Sequence, residues 1–190
     1  YTVREPSAGN AYNSLLSVVN STGSAKPVKV RFLEGKNSRE VLDFNLYLSA
    51  KDVWVAAIVP TADGAAIVTP DNSCTDGVVS QDDANPTPFV NYAYTGDFDD
   101  PANDDLDRTR EGYVEIIEMG VVTAVDIDPS ASTLPFDVAV THVNGVPKNC
   151  AAVVADWADG SFTGGSLSAP QGGLMGTGTL INVANGTDFS

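Results

Sequence analysis

The sequence predicts a mainly β protein: an antiparallel β-sandwich of immunoglobulin-like architecture, with one short helix and a long acidic loop insertion. Three observations carry this. Residues 15–60 hold four runs rich in Val, Leu and Ile, separated by short links of turn residues. Two of these runs alternate apolar and polar residues with a period of two, the pattern of a half-buried strand. Residues 71–112 then hold few apolar residues and many Asp, Asn, Pro and Gly, an excursion far longer than the usual connection of about 4–6 residues. A chain of 190 residues is long enough to bury a core as one domain, 1–190, with 71–112 as its excursion.

Residues 1–4 form a short extended piece before Pro6. Residues 15–20 make the first strand, closed by an Asn-Ser-Thr-Gly turn. Residues 27–34 place Val28, Val30 and Phe32 on one face and Lys29 and Arg31 on the other. After a turn at 35–38, residues 41–48 point Leu42, Phe44, Leu46 and Leu48 inward and Asp43, Asn45 and Tyr47 outward. Residues 52–59 are apolar on both faces (Val53, Val55, Val59; Trp54, Ile58), which predicts a strand buried on both. Residues 65–69 give a short strand ended by Pro70-Asp71-Asn72. Residues 113–122 return to strand, with helix as the competing reading. Residues 138–143 predict another strand, with His142 on the face of Val138 and Val140. Cys150, Val153, Val154 and Trp157 then fall at helical spacing, with Asn149 to cap and Gly160 to stop the helix. Residues 159–179 are rich in Gly and Ser, and residues 177–183 close the chain as a strand.

Charge narrows the function classes. Ten Lys and Arg against 25 Asp and Glu leave a formal charge of -15, which repels nucleic-acid backbones and anionic membrane surfaces. No apolar run approaches the ~18 residues of a membrane span, so no membrane insertion is expected. The chain opens on YTVREP with no signal peptide visible, so a secreted protein would be in a mature or trimmed form. Cys74 and Cys150 are the only cysteines and lack metal-site spacing. They are either two buried thiols or one disulfide; the disulfide is the expectation, stapling the helix to the start of the excursion. An even cysteine count and few lysines fit an extracellular protein.

Several residue groups are candidates for chemistry or contact. Residues 96–107 concentrate carboxylates, and Asp97, Asp99, Asp104, Asp105 and Asp107 are the candidate ligands for Ca²⁺, a hard cation that takes six to eight oxygens. The spacing is not that of an EF-hand, and a solvated acidic loop neutralised by Arg108 and Arg110 is the simpler account. Lys29, Arg31, Lys36 and Arg39 belong to a basic cluster between residues 26 and 51. This cluster could meet the acidic loop of a neighbouring copy, and such head-to-tail contacts generate filaments; alternatively, the loop folds over its own sheet. His142 is the only histidine and no GxSxG elbow accompanies it, so it reads as structural. Glu115 and Glu118 could serve as paired carboxylates, but with so many acids the signal is empty. No catalytic residues are assigned and no enzyme is expected. Glycosylation sequons occur at Asn20 and Asn185.

The segment NAYNSLLSVVNSTGSAKPVKVRFLEGKNSREVLDFNLYLSAKDVWVAAIV, with RTREGYVEIIEMG and the closing GTGTLINVANGTDFS, resembles uncharacterised secreted β-rich proteins of Gram-negative bacteria. The resemblance implies export to the envelope or outside and implies no activity. Those proteins are longer, so the chain resembles a trimmed piece or a short relative. The expected function is an extracellular structural or assembly module (a surface fibre, layer or adhesin subunit) whose partner is itself. It would act through subunit packing or through strand addition by residues 1–4 or 177–183. The alternatives are a Ca²⁺-dependent carbohydrate- or partner-binding module using Trp54, Tyr92, Tyr94 and Tyr113, and a secreted hydrolase.

Overall fold

The structure is a computed structural model that describes residues 1–5, 7, 11–77, 79–98, 104–124, 134–160 and 165–190. The strands before the excursion are β1 (Asn13–Asn20), β2 (Lys26–Glu34), β3 (Glu40–Leu48), β4 (Val53–Pro60) and β5 (Ala65–Val68). The excursion itself holds β6 (Cys74–Thr75) and β7 (Thr87–Pro88). Next come β8 (Gly112–Glu118), β9 (Val121–Ala124), α1 (Phe136–Val140), β10 (His142–Val143), β11 (Val146–Pro147) and α2 (Cys150–Asp159). The chain closes with β12 (Gly165–Ser168), β13 (Leu174–Asn182) and β14 (Thr187–Phe189).

The four runs of residues 15–60 are divided between two sheets. β1 and β4 are central in a six-stranded sheet ordered β14-β13-β1-β4-β5-β7, and β2 and β3 in a four-stranded sheet ordered β6-β3-β2-β8. The chain leaves the first sheet after β1, makes the β2–β3 hairpin in the second, and returns as β4. The pairings between these strands are antiparallel. Period-two alternation points one side of each strand into the space between the sheets. Leu16, Val18, Trp54, Ile58 and Ile67 from one sheet meet Val28, Val30, Phe32, Phe44 and Leu46 from the other in one buried cluster. The Phe44 and Trp54 rings lie 5.7 Å apart. The mainly β, antiparallel sandwich is therefore as the sequence predicts.

Three expectations need correction. β4 is buried on one face only: Trp54, Ala56 and Ile58 enter the core, whereas Val53 and Val55 remain 46% and 37% exposed. Tyr47 does point out of the sandwich, but it is fully buried beneath a second core. There it meets Cys74, Val122, Phe136, Ala139, Val140 and Val153, with its ring 5.8 Å from Phe136. Residues 138–143 do not form one strand: α1 ends at Val140 and only His142–Val143 pair, in a two-stranded hairpin with β11. The cause is spacing. Phe136, Ala139 and Val140 all face the second core from one side of a helix, which an extended chain could not arrange. Among the described residues there are thus two α-helices, where the sequence predicts one.

The helix foreseen at 150–157 is α2. The Asn149 side chain accepts the Ala152 N–H at 3.2 Å, and Gly160 ends the helix in the left-handed region at φ 70°, a conformation glycine adopts without cost. Cys74 of β6 and Cys150 at the start of α2 form the disulfide, with Cα atoms 5.4 Å apart. The excursion of 71–112 is not an open loop. Its Phe89 and Tyr94 are buried in the main core, and its second half includes three short 3-10 turns.

The disulfide closes a loop spanning a sequence separation of 76. On the chain-entropy account, opening it costs about 4 kcal/mol. Reduction should therefore lower the melting temperature by roughly 10 °C, read by circular dichroism with and without dithiothreitol. An unchanged melting curve would show that the disulfide adds nothing to global stability.

Candidate functional site

The site grows out of β2. Its inward face carries Val28, Val30 and Phe32, and the same period of two puts Lys26 and Glu34 at the two ends of that face. Both are fully buried, and a buried charge needs a partner. Lys26 Nζ finds Glu118 Oε1 of β8 at 2.5 Å. Glu118 also accepts the Gln171 and Gly172 N–H groups at 3.0 and 2.8 Å. Burial pushes the Glu118 carboxyl up, but Lys26 and these N–H groups outweigh it and hold it below its ordinary range.

Glu34 is the more elaborate case. The turn after β2 wraps around its carboxylate, with N–H groups of Lys36, Asn37 and Arg39 donating at 2.8, 3.1 and 2.8 Å. Arg108, from the 3-10 turn Leu106–Arg110, donates its Nε at 2.8 Å, and both side chains are 0% exposed. The Arg108 guanidinium lies 4.4 Å over the Tyr94 ring and also reaches Asn37 Oδ1. Burial pushes the Glu34 carboxyl up, but Arg108 and the three N–H groups win and hold it down at about 2.

This hub fixes the next stretch of the chain. Thr109 Oγ1 donates to Leu106 O at 2.7 Å and accepts the Ala65 N–H at 3.0 Å, tying the turn to β5. Beyond it, residues 1–3 run beside 110–112: the Val3 N–H donates to Arg110 O at 2.8 Å. The Tyr1 amino group donates to Gly112 O at 2.7 Å, and the Gly112 N–H returns a bond to Tyr1 O at 3.0 Å. The Tyr1 ring is edge-on to Phe32 and Phe89, 5.6 Å from each. Gly112 is required here, because a Cβ would run into the Leu33 carbonyl. Between the hub and the N-terminal residues 2–5 lies a cleft of about 320 Å³, where Arg4, Lys36, Arg108 and Arg110 face Glu5, Asp107 and Glu111.

Of the basic residues singled out in the sequence, Lys29 and Arg31 turn out to be matched locally. Lys29 pairs with Asp43, and Arg31 bonds Glu40 and Glu115, each at 2.9 Å. The basic face is thus matched by acids of its own sheet. Lys36 lines the cleft, and the Arg39 backbone serves Glu34. The excursion does contact the sheet, but with the opposite polarity to that expected: the acidic loop supplies the base, Arg108, and the basic strand supplies the acid, Glu34. Arg110 neutralises Asp107 at 2.7 Å.

Of the candidate calcium ligands, Asp99 lies outside the described residues. Asp97 sits in the 3-10 turn Gly96–Phe98. Asp104, Asp105 and Asp107 line an open depression of about 510 Å³ with Asp63. The main-chain carbonyls of Asp104 and Asp105 accept from Asn91 Nδ2 and the Tyr94 hydroxyl. Among the described residues, no three His, Cys, Asp or Glu side chains converge as a metal-binding group.

His142 meets both a serine and an aspartate, but not in relay order. Ser49 Oγ and Asp52 Oδ2 lie 3.5 and 3.6 Å from the same ring nitrogen, Nδ1, and Ser49 Oγ donates to Asp52 at 3.1 Å. A relay needs the nucleophile and the acid on opposite nitrogens. The Asn20 sequon is closed to modification: its amide is buried and donates to Ser24 O and Ser49 O at 2.7 Å.

The hub is not among the residues that the sequence singles out, although its signal is present: Glu34 continues the inward parity of Val28, Val30 and Phe32. No protein-family model matches the chain, and neither a curated protein nor a solved structure shows significant similarity to it.

Arg108→Ala should destabilise the fold by about 3–5 kcal/mol, because it strands a buried carboxylate. Replacing Glu34 and Arg108 together by methionine should cost far less. Urea unfolding of the two variants checks this, and equal losses would contradict it. A second expectation concerns acid. The folded Glu34 titrates at about 2, against an ordinary value of 4.5. Its contribution is therefore complete above pH 4.5 and is lost as pH falls from there through 2. Unfolding free energy measured across that range should fall more steeply in the native protein than in the double-methionine variant.

Proposed function

We propose that this protein is an extracellular structural module that packs against copies of itself. The observation that supports it is the outer face of the six-stranded sheet. In register across β13, β1 and β4, Val19 sits between Met175 and Val53, Ser17 between Thr177 and Val55, and Leu15 between Thr179 and Ala57. These rows contain no charged residue, on a chain of formal charge -15. Leu15, Val53, Val55 and Met175 are exposed. An uncharged face that exposes several large apolar side chains is characteristic of contact surfaces. Copies that each carry a large negative charge repel, so an uncharged face is a place where they can approach.

The disulfide and the resemblance to exported proteins favour an oxidising, extracellular setting. No helix among the described residues is long and apolar enough to cross a membrane. Donation of residues 1–4 or 177–183 to a neighbour is not the favoured route. Residues 1–3 are bonded along 110–112, and β13 is held in its own sheet by β1 along residues 174–181 and by β14 over Leu180–Asn182. Packing of surfaces left open by the folded subunit is the route that these pairings favour.

Sedimentation velocity from micromolar to millimolar concentration should show reversible association of the native protein. Val53→Glu with Val55→Glu should weaken it at least about tenfold, since a charge facing apolar surface at a contact costs more than about 1.4 kcal/mol. A protein that stays monomeric throughout the range would overturn the reading. The calcium-dependent alternative would instead make association, or the melting temperature, respond to calcium and EDTA.

A further inference from the structure

Among the described residues, β8 is an edge strand, paired with β2 on one side only. In an antiparallel ladder, successive residues turn their N–H and C=O groups alternately toward and away from the partner strand. The register fixes which is which. The Met119 N–H donates to Pro27 O at 3.0 Å, and the Gly35 N–H donates to Glu111 O at 3.0 Å, so the odd-numbered residues Tyr113, Glu115 and Ile117 face β2. The main-chain groups of Val114, Ile116 and Glu118 then face away, and among the described residues nothing bonds them.

The same edge is already used at its start. Tyr1 exchanges both of its main-chain bonds with Gly112, the pattern of one narrow rung of an added antiparallel strand. The rungs at Val114, Ile116 and Glu118 continue that line. The strip is also electrically quiet. Glu115 is bound to Arg31, and Glu118 to Lys26. On its outer side, Tyr113 and Ile117 are exposed, Ile117 at 45%. A negatively charged chain can bring this strip close to another copy without setting unpaired carboxylates against each other. An unblocked edge of this sort is a template for strand pairing.

We propose that the open edge of β8 pairs with β8 of a second copy, antiparallel about a twofold axis at Ile116. This rests on the assembly reading above and names one of its contacts. Ile116 faces its own symmetry mate, Val114 faces the partner's Glu118, and Glu115 lies beside the partner's Ile117. All three outward rungs gain paired bonds, and the two four-stranded sheets become one. Tyr1 sets the limit of the added strand, which ends where the chain turns at Gly120. A subunit with a twofold edge contact and a second self-contact on the opposite sheet propagates without closing into a dimer, which is how a fibre or layer grows.

Amide hydrogen exchange on the full chain tests this, at a concentration where it associates and at one where it does not. Val114 and Ile116 amides should exchange at least about tenfold more slowly in the associated sample. Tyr113, Glu115 and Ile117 amides, bonded to β2, should be protected in both and so report that the fold is intact. Ile117→Glu places a carboxylate beside the partner's Glu115, and like charges on adjacent strands repel. It should weaken association at least about tenfold, with an unchanged melting temperature. Equal exchange of Val114 and Ile116 in the two samples, or unweakened association of Ile117→Glu, would overturn the edge contact. If the native protein associates and only the Val53→Glu, Val55→Glu variant loses this, the edge contact fails and the assembly reading stands. If the native protein never associates, both fail.

Discussion

The ion pair between Glu34 and Arg108 is the contact on which the rest of the arrangement depends. It joins the end of β2, the turn after it and the last turn of the excursion in one buried point. Neither charge is solvated, so each exists only because the other is there, and the fold cannot move one without stranding its partner. Arg108 stands four residues ahead of Gly112, where β8 begins. Fixing Arg108 therefore fixes where β8 starts, where residues 1–3 can lie beside it, and which rungs of its edge stay open.

The core is legible in the sequence because strand alternation is a strong signal. Val28, Val30, Phe32, Phe44 and Leu46 are inward as their spacing requires. The helix at 150–159 is legible for the same reason at a different period, reinforced by Asn149 and Gly160. The two cysteines could be paired because little else in the chain competes for them. The illegible part lies one layer further out. Tyr47 has the parity of a surface residue, yet it is buried because α1 and α2 cover that face, and no strand pattern reports what will later pack on it. Val53 and Val55 show the converse: they look buried by composition and are open because nothing described covers β4. Alternation says which side of a strand a residue takes; it does not say what occupies that side.

Charge misleads for a related reason. Composition locates a basic segment and an acidic one, and their attraction suggests a contact between them. The structure instead pairs Lys29 and Arg31 with Asp43, Glu40 and Glu115 across neighbouring strands of one sheet, where side chains are already close. The long-range contact is made by the two residues that run against the local trend, an acid ending a basic strand and an arginine inside an acidic run. Local exceptions to a charge pattern carry the tertiary information, and Glu34 announces itself by sitting on an apolar face.

The resulting subunit bonds residues 1–3 along 110–112 and β13 to β1, and it pairs Lys29 and Arg31 with acids of their own sheet. Among the described residues it leaves open an uncharged face with exposed Leu15, Val53, Val55 and Met175 on one sheet and the β8 edge on the other. On the proposed reading, these two surfaces are where copies meet. The central claim, that copies join through β8, is tested most directly by electron cryo-microscopy of the concentrated native protein. The edge contact predicts assemblies in which β8 strands of two subunits run antiparallel side by side, joining their four-stranded sheets across a twofold axis at Ile116. Assemblies in which the β8 edge faces solvent, or is covered by anything other than a second β8, would contradict it.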